Sequence, residues 1–226
     1  MYEHPILTAI WNEGFTPLGW FAPAAGEEIA AGLFSVQFVI LIGNAGPQMF
    51  SRFHREQGSA PGGLDGWCRT VIGALAERLG AQAVYPFDTP PPPFLTWAKR
   101  TGAIHQSPLG LGIHADYGLW HAYRAALMFP VAFDLPISRS RSPCDTCADR
   151  PCLSACPAEA FTGSFYDVER CVDHIASVDG RDCMAEGCLA RRACPIGRAF
   201  QYQPTQSRFH MEAFRRSRLA ARVKTG

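Results

Sequence analysis

The sequence predicts an α+β chain: a mixed α/β domain over residues 1–137, a small cysteine-rich domain over residues 138–200, and a basic tail over residues 201–226. Two observations carry this. Short apolar, strand-like runs alternate with amphipathic helical patterns through the first part. Eight of the nine cysteines then fall between Cys144 and Cys194, with only Cys68 outside.

Length and composition bound the remaining possibilities. The 226 residues lie between one large domain and two small ones, taking roughly 100–200 residues per domain. A chain of this size buries about 70% of its unfolded surface and folds without covalent staples. With 47% hydrophobic and 18% charged residues it is not a disordered chain. Lys and Arg number 21 against 20 Asp and Glu, so no global field draws the chain to nucleic acid or a membrane surface. No apolar run approaches the ~18 residues of a membrane span. The most apolar stretch, Phe38 to Gly43, is of strand length. MYEHPILTAIW lacks the basic start and long apolar core of a secretory leader. The expected compartment is the cytoplasm, where clustered thiols point to metal or iron–sulfur ligation before disulfides.

Taken in order, Ile6 to Glu13 reads as a short helix stopped at Gly14, and FTPLGWFAP as an extended segment broken by prolines. SVQFVILIG (Ser35 to Gly43) is apolar and rich in β-branched and aromatic residues, as a strand covered on both faces must be. GNAGPQMFSRFHREQG follows as a helix, with Pro47 suited to the first position and Gly58 to the stop. LDGWCRTVIGALAERLG sets Cys68, Val71, Ile72, Leu75 and Leu79 on one helical stripe, with Asp65 as N-cap and Gly80 as the terminal glycine. Cys68 therefore reads as a small buried hydrophobe. Ala81 to Phe87 is a second buried strand. Pro90 to Pro93 is a stiff connector to a short helix through Trp97 and Lys99. LGLGIHADYGLWHAYRAALMF reads as an antiparallel hairpin turning at HADYG. No glycine fingerprint for a nucleotide is placed between a strand and a helix.

The cysteine spacing carries the chemistry. Cys144-x2-Cys147-x4-Cys152-x3-Cys156-Pro157 is a ferredoxin-type run widened in its middle gap. Cys171 and Cys183-x4-Cys188-x5-Cys194-Pro195 form a second set with the same Cys–Pro ending, so the two halves read as a decayed duplication. A 4Fe–4S cube needs four thiolates from different directions, three from one loop and one from a distant segment. Two such clusters account for all eight cysteines. One cluster with spare thiols, or two zinc sites, are the alternatives. Zinc sites typically show paired CxxC knuckles, and only one CxxC is present.

SPLGLGIHADYGLWHAYRAALMFP, with FTPLGWFAP, resembles the CblC (MMACHC) type of cobalamin-processing protein, in which an I-H-P-x-[FY]-G-x-W-x-x-x-R-like hairpin lies beside the corrin. The cysteine array resembles the C-terminal part of epoxyqueuosine reductase and of reductive dehalogenases, which join a cobalamin-binding, nitroreductase-like domain to a two-cluster ferredoxin module. PFDTPPPPFLTWAKRTG is similar to the D-S-A-P…W-A…G stretch of epoxyqueuosine reductase. That resemblance implies one cluster on Cys144, Cys147, Cys152 and Cys194, and a second on Cys156, Cys171, Cys183 and Cys188. The wider gaps loosen the individual assignments from Cys183 to Cys194 more than the total. The tRNA enzyme's helical-repeat extension has no counterpart after residue 200, where a basic helix-like tail follows (Arg208, Arg215, Arg216, Arg218, Arg222, Lys224).

The resemblance implies electron flow from the clusters to a corrinoid, in cobalamin reduction, decyanation or dealkylation. His114 either lies nearest the corrin or holds its turn, with Asp116, Tyr117 and Trp120 shaping the face above cobalt. Arg124 reaches a carboxamide, a thiol cosubstrate or a backbone carbonyl. Asp88 is a proton donor by analogy, or a carboxylate capping the helix after the prolines. Trp20 and Phe21 are candidates for a flat pocket wall, whereas Trp67, Phe94 and Trp97 read as core. FMN on the same fold, a plain ferredoxin-type carrier and a reductase acting on a modified tRNA base are the other readings. The expected partners are a corrinoid or other small molecule and a cytosolic electron donor, without membrane and with nucleic acid disfavoured. A homodimer is hinted at by CblC-type self-association.

Overall fold

A computed structural model describes residues 4–24, 26, 27, 29, 34–56, 61–162 and 165–225. In chain order it begins α1 (Pro5–Asn12), β1 (Thr16–Phe21), β2 (Phe38–Ala45), α2 (Gln48–Glu56), α3 (Gly63–Leu79) and β3 (Gln82–Val84). It continues α4 (Phe94–Arg100), β4 (Ile104–Gln106), β5 (Gly112–His114) and β6 (His121–Phe129). Then come α5 (Pro151–Ser154), α6 (Val168–Ala176), α7 (Arg181–Glu186), α8 (Leu189–Ala193) and α9 (Pro204–Thr225). The chain is α+β. It divides into two compact units, Met1–Ile104 with His121–Ser140, and His105–Trp120 with Arg141–Gly226. No helix among the described residues is long and apolar enough to cross a membrane.

The first unit is built on a sheet of order β1-β2-β6-β3. Every pairing in it is antiparallel, which corrects the expected mixed sheet. The apolar run of β2 is buried along almost its whole length without any parallel neighbour. Val39 and Leu41 join Phe21, Ala126 and Met128 against Phe94, Trp97 and Ala98 of α4. Ile40 and Ile42, which alternate with them and face the other way, are equally buried. Opposite Gly43 the register of β6 skips Arg124, a bulge that re-aims this side chain.

Several predicted boundaries shift for identifiable reasons. Helix α1 is capped by His4, whose ring accepts the Ile6 N–H at 3.3 Å, and ends before Gly14. Pro47 precedes α2 and accepts the Ser51 N–H at 2.9 Å, while the Gly58 stop lies outside the described residues. The N-cap of α3 is Gly62, not Asp65, which sits in the first turn where its charge suits the helix dipole. Gly80 ends α3 as expected, and Cys68, Trp67, Phe94 and Trp97 are core. The buried strand expected over 81–87 contracts to the half-buried edge strand β3, because Asp88 closes a turn on Tyr85.

The predicted hairpin is also corrected. His114 and Gly118 exchange both backbone hydrogen bonds at 2.9 Å, so HADYG does form a tight turn. The strands on either side part company, however: β5 pairs with β4, and β6 runs between β2 and β3. Residues Leu119 and Trp120 are buried in the second unit and take the turn with them.

In that unit the turn crosses residues 196–197 backbone against backbone. Gly118 and Gly197 both have positive φ, and a Cβ on either would collide with the peptide of the other strand, at Ile196 or at Tyr117. Gly110 has a similar φ of +73° but open space around it. Gly110→Ala is therefore expected to cost about 1 kcal/mol for backbone strain alone. Gly118→Ala is expected to cost roughly 1–3 kcal/mol more. Equal shifts of the denaturant midpoint for the two variants would refute the crossing.

Candidate functional site

Two cavities lie in the second unit, and each is lined by four cysteines. The first, about 360 Å³, is bounded by Cys144, Cys147, Cys152 and Cys194. Ser142 caps a short 3₁₀ turn, Pro143–Thr146, accepting the Cys144 N–H at 3.3 Å, and this presents Cys144 and Cys147. Pro151 begins α5, which carries Cys152. Cys194 arrives from the end of α8, and Pro195 turns the chain away. Ile113 and Leu119 from the 105–120 segment complete the wall with Ile196.

The second cavity, about 310 Å³, is bounded by Cys156, Cys171, Cys183 and Cys188, with His174, Phe161 and Met211. Cys171 stands on α6, whose N-terminus is capped by Asp167 accepting the Arg170 N–H at 2.9 Å. Cys183 comes from α7, and Cys188 is the residue before α8. Each run thus lends one cysteine to the other's cavity: Cys156 crosses to the second and Cys194 to the first. The cavities divide the eight cysteines into the same two sets that the resemblance implies.

The donor set fits an iron–sulfur group. Burial, as the largest cause, raises the thiol pKa of Cys144, Cys152, Cys171, Cys183 and Cys194, with neighbouring cysteines adding to the rise. Burial pushes Cys188 up to about 11. Thiolates in such a shell need a cationic partner, because their own repulsion and desolvation oppose ionisation. The sulfurs also stand around an open volume. Among the described residues no three His, Cys, Asp or Glu converge on a point fit for a single metal ion. Backbone N–H groups are already directed at sulfur: Ala160 to Cys156 at 3.4 Å, Leu189 to Cys183, Arg191 to Cys188 and Ile196 to Cys194.

The other predicted site residues divide between the units. In the second, His114 is 8% exposed, and its Nδ1 accepts the Asp116 N–H at 3.0 Å and the Tyr117 N–H at 3.4 Å. That ring nitrogen holds the turn. Tyr117 packs on His114 and edge-on against Phe200. Trp120 is 1% exposed, beneath the Arg191 guanidinium and against Tyr202. Its ring is core and does not present a face to a ligand.

In the first unit Asp88 accepts from Arg69 at 2.5 Å and from the Tyr85 N–H at 2.8 Å. It does not cap α4, where the N-cap position is Pro93. Arg124 donates to Asn44 Oδ1 at 3.2 Å, a carboxamide supplied by the chain's own β2. Trp20 lies half-buried on β1 opposite Ile40.

Three residues of the site escaped the sequence reading. His174 follows Cys171 by three residues, so a helix puts both on one face, and that signal was readable. Its Nε2 is 3.8 Å from Cys183 Sγ. Tyr166 donates its hydroxyl to the Cys171 sulfur and stacks on Phe161. Arg191 donates through Nε to the Leu119 carbonyl at 2.8 Å and again through a terminal nitrogen, tying the 105–120 segment to α8. Nothing in the local sequence marks the last two.

The fold and site together define an α+β chain with an eight-cysteine module. No family model matches the chain, and no curated protein matches it. Among solved structures it is similar to the C. elegans B12-trafficking protein CblC, a human MMACHC homologue, at 15% identity and a TM-score of 0.53, over 93% of this chain and 94% of that one. It is also similar to epoxyqueuosine reductase from Streptococcus thermophilus at 16% identity and a TM-score of 0.50, over 89% of this chain and 69% of that one. Against epoxyqueuosine reductase from Bacillus subtilis, at 14% identity and a TM-score of 0.47, it covers 76% of its own length and spans about half of that protein, 51%. These likenesses are of fold.

Burial lowers the pKa of His114 from its ordinary 6.5, with His105 adding to the fall and Asp116 opposing it. The neutral ring's contribution to stability is therefore full above pH 6.5 and is lost as pH falls through the lower folded value. The stability gap between wild type and His114→Leu is expected to narrow between about pH 7.5 and about pH 5. An NMR titration midpoint for His114 above 6.5 would contradict the buried, turn-holding role.

Proposed function

We propose that the chain is an iron–sulfur oxidoreductase that holds two 4Fe–4S clusters and delivers electrons to a corrinoid, in cobalamin reduction, decyanation or dealkylation. The supporting observation is the pair of separate cavities, each ringed by its own four cysteines. Cys144, Cys147, Cys152 and Cys194 would hold one cluster and Cys156, Cys171, Cys183 and Cys188 the other. When bound, such clusters supply one-electron storage and relay. In this reading residues 138–200 are a ferredoxin-like module and residues 1–137 a nitroreductase-like, CblC-like domain.

The chain's own groups do the rest. The eight thiols lose their protons on ligation, and the N–H groups of Ala160, Leu189, Arg191 and Ile196 then donate to them and offset the added negative charge. Leu109, Ile113, Leu119 and Ile196 keep water from the first set. His114, held in its turn, keeps Tyr117 in place beside it. Within the second unit, His114 and Tyr117 are the candidate corrin contacts. The anchoring of Asp88 by Arg69 favours a turn-holding role for it over proton donation. The likeness to a B12-trafficking protein over 93% of the chain supports a corrinoid as substrate. In decyanation cobalt(III) would gain one electron from a cytosolic one-electron donor by way of the chain, and cyanide would leave with the bonding pair.

Anaerobic reconstitution with iron and sulfide is expected to give about eight irons per chain, four for each cubane. Cys152→Ala and Cys183→Ala are each expected to retain about four, from the untouched cavity. Cobalamin added to the reconstituted protein is expected to shift toward its base-off visible spectrum. Full iron without that shift would remove the corrinoid from the proposal and leave flavin reduction or plain electron carriage. Zinc in place of iron would remove the redox function.

A further inference from the structure

The two cavities are alike in thiols but differ in what donates to those thiols. Around the Cys156, Cys171, Cys183 and Cys188 set stand two protic side chains. The Tyr166 hydroxyl donates to Cys171. The His174 imidazole has Nε2 3.8 Å from Cys183 Sγ. Both side chains are partly buried, and Phe161 stacks on Tyr166 with ring centroids 4.6 Å apart. These come in addition to the backbone donors Ala160, Leu189 and Arg191. Around the Cys144, Cys147, Cys152 and Cys194 set, the donors seen among the described residues are the backbone N–H groups of Ile196 and Cys152 and the Ser142 hydroxyl. Its remaining walls are Ser107, prolines and aliphatic carbon, with Arg150 at the rim.

We propose that Tyr166 and His174 are positioning residues that make the Cys156/Cys171/Cys183/Cys188 site the higher in potential and the first to be reduced. The inference rests on iron–sulfur occupancy of both cavities. Reduction adds negative charge that spreads onto the sulfurs, so hydrogen bonds to sulfur stabilise the reduced form and raise the potential. The competing influence is positive charge near the first site, from Arg150 and Arg198. Both arginines are exposed, so water and salt screen them, whereas a direct hydrogen bond is screened little. The step is one-electron addition from a low-potential donor, dithionite in the test, with no bond broken and no proton required.

The test is a potentiometric EPR titration of the full reconstituted chain, with iron counted in every sample. Wild type is expected to show two midpoints. Tyr166→Phe and His174→Leu should each lower the upper midpoint and leave the lower one in place, with iron unchanged. His174→Gln, which keeps an N–H donor, should restore part of the shift. Pulsed EPR of wild type in D2O, which needs no variant, should find the stronger exchangeable-proton coupling on the centre reduced first. Movement of the lower midpoint, or no movement with iron intact, overturns this inference and leaves the proposed function standing. Wild type that takes up no iron overturns both.

Discussion

A thiolate taken out of water is unstable unless something positive stands beside it, and this chain gathers eight thiols into two apolar shells. Burial raises most of them, and their neighbours raise them further. Sulfur placed this way stays protonated near neutral pH, and its ionisation needs a cationic partner. The surrounding features make sense from that requirement. Cys–Pro endings turn the chain away at once, short helices present one thiol each, and backbone amides are aimed at sulfur before any ligand arrives. Among the described residues the second unit has few long helices and no extended sheet.

The 105–120 segment joins that unit for a related reason. A loop of alternating cysteines and turns cannot seal its own cavity, since it has few aliphatic side chains to spare. Leu109, Ile113 and Leu119 supply them. Holding them requires the two glycines at the crossing, where any Cβ would meet a peptide, and Arg191, which binds the Leu119 carbonyl while lying over Trp120 and Tyr202. His114 belongs to the same construction. Its accepting nitrogen is consumed by two backbone amides, and this fixes the shape of the turn from which Tyr117 projects.

Much of this was legible in the sequence, and what was not has a physical cause. Local signals served well: the apolar stripe through Cys68, the glycine that ends α3 and the apolar run of β2 all do what their patterns say. The sense of the sheet was not readable, because a strand covered on both faces looks the same whether its neighbours run parallel or antiparallel. The hairpin failed for a different reason. HADYG has the chemistry of a tight turn and forms one, but turn chemistry fixes only the turn, and tertiary burial of Leu119 and Trp120 decided where the flanking strands went. Spacing alone left the sharing of cysteines open, because the widened gaps let either run close on itself. Tyr166 had no signal at all, since its meeting with Cys171 depends on the bridge between Phe161 and Tyr166 that precedes α6.

The likeness to two kinds of solved structure is one of fold, and a fold of this sort carries a B12-trafficking protein in one case and an epoxyqueuosine reductase in the other. What separates the possibilities is the site. The thiol cavities argue for electron storage whatever the acceptor is. On the last helix Arg222 pairs with Glu169 and Asp173. The asymmetry between the cavities then gives the storage a direction. On the proposed iron–sulfur occupancy, the site with a phenol and an imidazole beside its sulfurs would hold an electron more firmly than the site with fewer donors. Two cubes of equal potential would share an electron evenly, whereas the proposed difference in potential would gather it at one end.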